Sequence, residues 1–234
     1  MSVYSIATSL FGENKVWNKL KRGFITSTGQ NTNATVFVYH TEPPGTRQLR
    51  QQLLANHYKL KKWRDVVYEA QNPVVLMDTD IIVLDDIDEC FSDHITLTSR
   101  GHRWCNAGVV FVNPTEESRK FMDAWCDMDK WLSMGAVNYN GDSERLIKAW
   151  AECGVRGQNQ TALRKIYDDW SHIVQWVPGE IYNLDPFFSD SFTNETKVIH
   201  VKDSLRTNLG FHLSGLRTKR VHRDILKKIE KYYL

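Results

Sequence analysis

The residues best suited to chemistry in this chain are Asp78-Thr79-Asp80, which close the apolar run Pro73-Val74-Val75-Leu76-Met77. Side chains alternate faces along a strand, so residues i and i+2 put both carboxylates on one side. Two like charges that close are costly to keep ionised without a cation between or beside them. Hard divalent cations such as Mg²⁺ or Mn²⁺ take oxygen ligands and leave positions open for substrate phosphates. Two readings stand on these residues alone: a metal–diphosphate site at a strand end, or a solvated acidic turn.

The elements that must position the pair are readable along the chain. Strand candidates are Val3 to Leu10, Thr35 to Tyr39, Val74–Asp78, Ile81-Ile82-Val83-Leu84, His94–Ser99 and Gly108–Val112. Late strands fall at Val174–Val177 and Val198-Ile199-His200-Val201. Pro43-Pro44-Gly45 is a strong stop, after which Leu49, Leu53, Leu60, Trp63, Val67 and Ala70 give a helical pattern from Thr46 to about Ala70. Arg47, Arg50, Lys59, Lys61, Lys62 and Arg64 are interleaved with it. Pro114-Thr115-Glu116-Glu117 starts a second helix, its acids favouring the N-terminal dipole. A third runs over Arg145–Glu152, and an amphipathic basic helix over Thr218 to Leu234. Strands alternating with helices predict one α/β domain over residues 1–234 with a mostly parallel central sheet and helices on both faces. Ligands in such sheets bind beyond the carboxyl ends of strands, where Asp78 and Asp80 stand.

Composition narrows the class. A length of 234 residues, 41% hydrophobic and 25% charged, suits a soluble α/β domain with a sizeable core. A net charge of +2 gives no support for nucleic-acid binding. Cys90, Cys105, Cys126 and Cys153 form no C-x-x-C pair, which fits reduced thiols rather than zinc or redox chemistry. The start, Met1 to Ser9, lacks a basic n-region and a long apolar stretch, and no window reaches the ~18 apolar residues of a membrane span. The expectation is a cytoplasmic protein. The sequons at Asn33, Asn159 and Asn194 then read as coincidences.

Taken in order, these features are a short N-terminal strand, a basic helix, an apolar strand ending in D-x-D, an Asn106-Ala107-Gly108 strand with an acidic helix start, and a late Val-Ile-His strand. The order resembles the GT-A (Rossmann-like) fold of nucleotide-sugar glycosyltransferases over roughly residues 3 to 212. It is nearest to the glycogenin and lipopolysaccharide galactosyltransferase type, glycosyltransferase family 8. Val75 to Val83 with Asn106-Ala107-Gly108 downstream carries most of the resemblance. It implies transfer of a sugar from a nucleotide-diphosphate sugar, UDP by default, to a glycan, glycolipid or protein-linked acceptor.

The resemblance also implies roles. Asp78, Asp80 and His200 would hold Mn²⁺ or Mg²⁺, and imidazole suits such a mixed N/O site; a partly buried structural histidine is the plainer reading of His200. Thr79 lies between the two acids. Lys59, with Lys62 as second choice, would face the donor, although helical lysines usually form a solvated face. Thr8 would line the nucleoside pocket, largely through backbone groups, and Asn106 and Ala107 would border the donor sugar. The chain departs from the family's H-x-x-G-x-x-K-P-W, reading His200-Val201-Lys202-Asp203-Ser204-Leu205-Arg206. Arg206 or Lys202 would then grip phosphate, Arg bidentately. Asp142, or failing it Glu144, would act beside the reacting carbon; the plain alternative for Asp142 is a helix N-cap. The stretch Thr26–Asn33 and the segment Lys202–Leu213 are expected to be mobile lids. Asp85, Asp86 and Asp88 read as a solvated acidic turn.

Rival readings keep the same D-x-D. A haloacid-dehalogenase-like phosphotransferase uses its first Asp as nucleophile, usually near the N-terminus, whereas here the motif starts at residue 78. A sugar nucleotidyltransferase wants a Gly-rich phosphate loop, which Phe11-Gly12-Glu13-Asn14-Lys15 matches poorly. A nucleotide-sugar or carbohydrate-binding module would bind without turnover. The C-terminal helix sets Lys219, Arg220, Arg223, Lys227, Lys228 and Lys231 against Val221, Ile225, Ile229 and Tyr232. It packs on the domain, or docks peripherally on the anionic inner membrane surface.

Overall fold

Val74 to Met77 and Cys105 to Val112 are buried residue after residue, so both faces of the sheet they form must be covered. In the computed structural model, which describes residues 3–11, 15–41, 48–100, 104–138, 141–185, 192–202, 205 and 223–233, they are. The strands are β1 (Ser5–Phe11), β2 (Thr35–Thr41), β3 (Val74–Met77), β4 (Ile81–Val83), β5 (Ile95–Ser99), β6 (Cys105–Val112), β7 (Val174–Val177) and β8 (Val198–His200). The helices are α1 (Lys15–Asn31), α2 (Gln48–Glu69), α3 (Glu116–Ser133), α4 (Glu144–Cys153), α5 (Gln158–Trp170), the single turn α6 (Gly179–Tyr182) and α7 (Arg223–Glu230).

The main sheet has the order β2-β1-β3-β6-β5-β7, and only β6 runs against the others. Alternation along the strands separates two cores. Val74, Leu76, Val110 and Val112 face Leu60 and Trp63 of α2, Phe121 and Trp125 of α3, and Leu163 of α5. Val75, Met77, Val109 and Phe111 face Phe24 of α1, Ile81 and Val83 of β4, and Val198 of β8. The result is the expected α/β arrangement, layered on both faces of a mostly parallel sheet.

Helix α1 corrects the sequence reading, which saw only a polar stretch and a lid over Thr26–Asn33. Residues 26–31 are helical, and the polar groups close on local carbonyls: Ser27 and Thr28 donate to Phe24 O at 3.1 and 2.7 Å. Asn31 donates to Val83 O and to Tyr232 Oη, both at 2.8 Å, tying α1 to β4 and to the chain's end. These contacts fix the segment instead of freeing it.

The apolar face of α7 also points inward. Ile225, Ile229, Tyr232 and Tyr233 pack with Leu20, Ile82, Ile199 and Val201, so this face is not offered to a bilayer. Lys227 and Lys231 remain exposed, while Lys219, Arg220 and Val221 lie outside the described residues. No described helix is long and apolar enough to cross a membrane. Gly23 makes the docking of the chain's end feasible, because a Cβ there would stand 2.3 Å from Tyr233 Cε1. Gly23→Ala is expected to cost about 1–3 kcal/mol by overpacking, read as a lower urea midpoint at unchanged slope.

Cys90, Cys105, Cys126 and Cys153 are all free thiols. Burial pushes Cys126 up to about 11 and Cys90 up to about 12, so neither is a thiolate nucleophile near neutral pH.

Candidate active site

Asp78 follows the last residue of β3 and Asp80 precedes the first of β4, so the D-x-D is the turn between the two sheets. Its backbone is anchored on both sides: Asp78 N donates to Gly108 O at 2.9 Å, and Val201 N donates to Asp80 O at 2.7 Å. Thr79 is buried, donates to Ser9 O at 3.0 Å and lies 3.1 Å from the Thr8 hydroxyl. The antiparallel pairing of β4 with β8 sets Ile81 opposite His200, which brings the histidine beside Asp80. His200 Nε2 stands 3.1 Å from Asp80 Oδ1 and 3.6 Å from Asp78 Oδ2. One ligand atom from each of Asp78, Asp80 and His200 lies within 4.8 Å of the others.

The imidazole's tautomer follows from its neighbours. Asn183 donates its amide to Thr98 Oγ1 at 2.9 Å and to Asn106 O at 3.1 Å, which turns its Oδ1 toward His200 Nδ1 at 3.0 Å. A proton on Nδ1 satisfies this contact and frees the Nε2 lone pair for a cation; Asn106 Nδ2 also lies 3.4 Å from Nδ1. Burial, and then the positive charge of Lys202, push the His200 pKa below its ordinary value, against an imidazolium. Two carboxylates and one imidazole thus converge. That cluster, two carboxylate oxygens and one imidazole nitrogen, fits a divalent cation such as Mn²⁺ or Mg²⁺. Outer partners that orient a ligating histidine typically hold about 10–100-fold in metal affinity. Asn183→Ala is expected to weaken Mn²⁺ binding in that range, measured by calorimetry.

Gly108 is the floor of the cluster. A Cβ on it would meet His200 Cε1 at 2.3 Å, His200 Nδ1 at 2.8 Å and Asp78 Oδ2 at 3.1 Å, so only glycine lets β6 pass this close beneath the ligands.

Above the acids opens a polar cleft of about 150 Å³ lined by residues of four elements. Asn56 and Lys59 come from α2, Asp78 from the turn, Asn106 to Gly108 from β6, and Gly157 to Gln160 from the start of α5, with Lys202 at the rim. Its size, below the ~300–1,000 Å³ of pockets for whole drug-sized ligands, suits the reacting end of a larger molecule. Lys59 Nζ reaches Asp78 Oδ1 at 2.6 Å and lies 4.5 Å from the Trp63 ring. Helix α5 begins at Gly157 with φ +95° and has no side-chain cap and no acid in its first turn. Its positive dipole end borders the cleft, and the buried Asp129 carboxylate of α3 accepts from the Gln158 and Asn159 side chains of this first turn. A larger hollow of about 620 Å³ beside α7 holds no comparable ligand cluster among the described residues.

No family model matches the chain, and no curated protein matches its sequence. Solved structures do match. A glycosyltransferase involved in glycosylation of the major capsid of PBCV-1 superposes with TM-score 0.58 at 9% identity, over 85% of this chain and 93% of that one. The glycosyltransferase GlyE of Streptococcus pneumoniae TIGR4 gives 0.57 at 10%, over all of this chain and 61% of its own. The bifunctional glycosyltransferase WbbM gives 0.51 at 12%, over 85% of this chain and 45% of its own. The chain has a glycosyltransferase fold.

Within that glycosyltransferase fold, the residues singled out from sequence separate clearly. Asp78, Lys59, Asn106, Ala107 and Lys202 line the cleft, with Asp80 and His200 buried directly beneath. Thr8 and Thr79 are buried behind the turn and brace it. Lys62 lies 4.4 Å from the Tyr39 ring, not in the cleft. Arg206 and most of Lys202–Leu213 lie outside the described residues. Asp142 and Glu144 are not among the lining residues. Nor is Asp142 the cap of α4: the Ser143 side chain accepts from Leu146 N at 3.1 Å, and Asp142 N donates instead to Asn138 Oδ1. Asp86 belongs to the structure rather than to solvent, accepting from Tyr4 Oη at 2.6 Å. Asn183 and the carboxamides Gln158, Asn159 and Gln160 escaped the sequence reading. Gly157 ahead of Ala162, Leu163 and Ile166, spaced for a helix face, was the available signal for α5.

Proposed function

We propose that this chain is a metal-dependent glycosyltransferase that moves a sugar from a nucleotide-diphosphate sugar, UDP-linked by default, to a glycan, glycolipid or protein-linked acceptor. The observation that carries the reading is the convergence of Asp78, Asp80 and His200 under a polar cleft at strand ends of a glycosyltransferase fold.

Asp78, Asp80 and His200 would hold Mn²⁺ or Mg²⁺, which when bound offsets charge on the departing diphosphate. Lys59 offsets part of the acidic charge of Asp78 and lines the cleft that a donor phosphate would enter. Lys202, also on the lining, adds positive potential. Asn56, Asn106 and Gln160 add carboxamides to the lining, while the Gln158 and Asn159 NH₂ groups are committed inward to Asp129. We assign Asn56, Asn106 and Gln160 the sugar-facing role; Asp142 and Glu144, off the cleft lining, are assigned at most an acceptor-side role.

The test is a screen of UDP- and GDP-sugars for Mn²⁺-dependent thermal stabilisation, followed by turnover. Mn²⁺-dependent cleavage of a nucleotide sugar supports transfer. Hydrolysis of simple phosphomonoesters would move the chain to the phosphotransferase class, and binding without turnover would make it a module.

A further inference from the structure

A buried carboxylate behind the cleft has no part in the chemistry above. Asp129 of α3 is fully buried and receives donors from two other helices. His57 Nδ1 of α2 lies 3.2 Å from its Oδ2. Gln158 donates to Oδ2 at 2.8 Å and Asn159 donates to Oδ1 at 3.0 Å, both from the first turn of α5. Asn159 also donates to Asn56 O at 3.2 Å. Asn56, Gln158 and Asn159 all line the cleft. A buried charge in that position carries a desolvation cost that its donors must offset and that a well-packed apolar side chain would avoid, so stability is a poor reason for it.

The geometry points to Asp129 as a positioning residue, which takes the Gln158 and Asn159 NH₂ groups inward and so fixes the first turn of α5, with Gln160, where it walls the cleft. A carboxylate only accepts, so each amide must turn its NH₂ inward; a flipped amide would set oxygen against oxygen at hydrogen-bond distance. His57 completes the set from α2, the helix that also carries Lys59. One carboxylate thereby registers α2 and α5 across the cleft. The substrate consequence of this inference rests on the glycosyltransferase reading; the orienting role does not.

Asp129→Asn tests it, because the amide keeps the volume but can no longer accept from all three donors. Two measurements separate the claims. Side-chain NH₂ resonances of Gln158 and Asn159 are expected to exchange with solvent at least about tenfold faster in Asp129→Asn, with or without a donor present. Turnover of UDP-glucose and UDP-galactose with Mn²⁺ is expected to lose at least about tenfold in kcat per folded molecule, while the Kd for Mn²⁺–UDP stays within about threefold. Should Asp129→Asn fail to fold, His57→Gln, on the partly exposed side of the network, is expected to give the same split at smaller size. Unchanged NH₂ exchange, or kcat and Kd falling together, overturns the positioning role. Absence of Mn²⁺–UDP binding in the wild type overturns the transferase reading instead and leaves the exchange result to stand alone.

Discussion

Asp80→Asn is expected to abolish Mn²⁺-dependent nucleotide stabilisation while leaving the unliganded protein at least as stable as the wild type. The sign comes from the convergence of acceptors: an amide at residue 80 can donate to His200 Nε2, 3.1 Å from the present carboxylate oxygen, and relieve the repulsion there. It also removes an anionic ligand from a three-ligand set. With ligand about a hundredfold above its Kd, binding stabilises by about 2.7 kcal/mol. For a chain of this size that is roughly 5–11 °C in Tm. Thermal melts of both proteins with and without Mn²⁺–UDP read all of this at once. A mutant that keeps the wild-type shift would remove Asp80 from the site.

Gly108→Ala should lose the same ligand response by a different route. The added methyl would stand 2.3 Å from His200 Cε1, and His200 has no room to retreat, being fully buried and held by Asn183. Overpacking of this kind costs about 1–3 kcal/mol, so the unliganded protein should melt several degrees lower. The two variants form a diagnostic pair. Both are blind to Mn²⁺, yet one is relieved and the other strained, and a pure folding defect cannot give the first result. An unperturbed melt of Gly108→Ala, with metal binding intact, would mean that β6 does not pass as close as the 2.3 Å approach requires.

The parts of this site that could be read from the sequence are those where local pattern and chemistry coincide. Asp78 and Asp80 interrupt a strand buried on both faces, and that contrast needs no partner to be visible. His200, at the end of Val198-Ile199, became readable as a ligand only with the D-x-D upstream and the resemblance; alone it reads as a structural histidine. Asn183 was hidden because its role depends on contacts with residues 77 and 85 positions away, Asn106 and Thr98. Gln158 to Gln160 look like an ordinary polar helix start, and only the packing of α5 against α2 and α3 turns them inward. Helix α1 was missed because few of its buried residues are large and apolar; its polar ones satisfy themselves on the helix's own carbonyls. The plain reading of Asp142 as a helix cap fails for a local reason, since the adjacent buried Ser143 takes that place.

The ribbon of β4 and β8 has a consequence for biosynthesis. Two of the three candidate metal ligands flank one rung of that ribbon yet are separated by 120 residues of chain. A polypeptide emerging from the ribosome carries Asp78 and Asp80 first, but cannot clasp an ion tightly until residue 200 has followed and zipped into place. Tight metal retention would thus separate molecules that have closed this ribbon from those that have not.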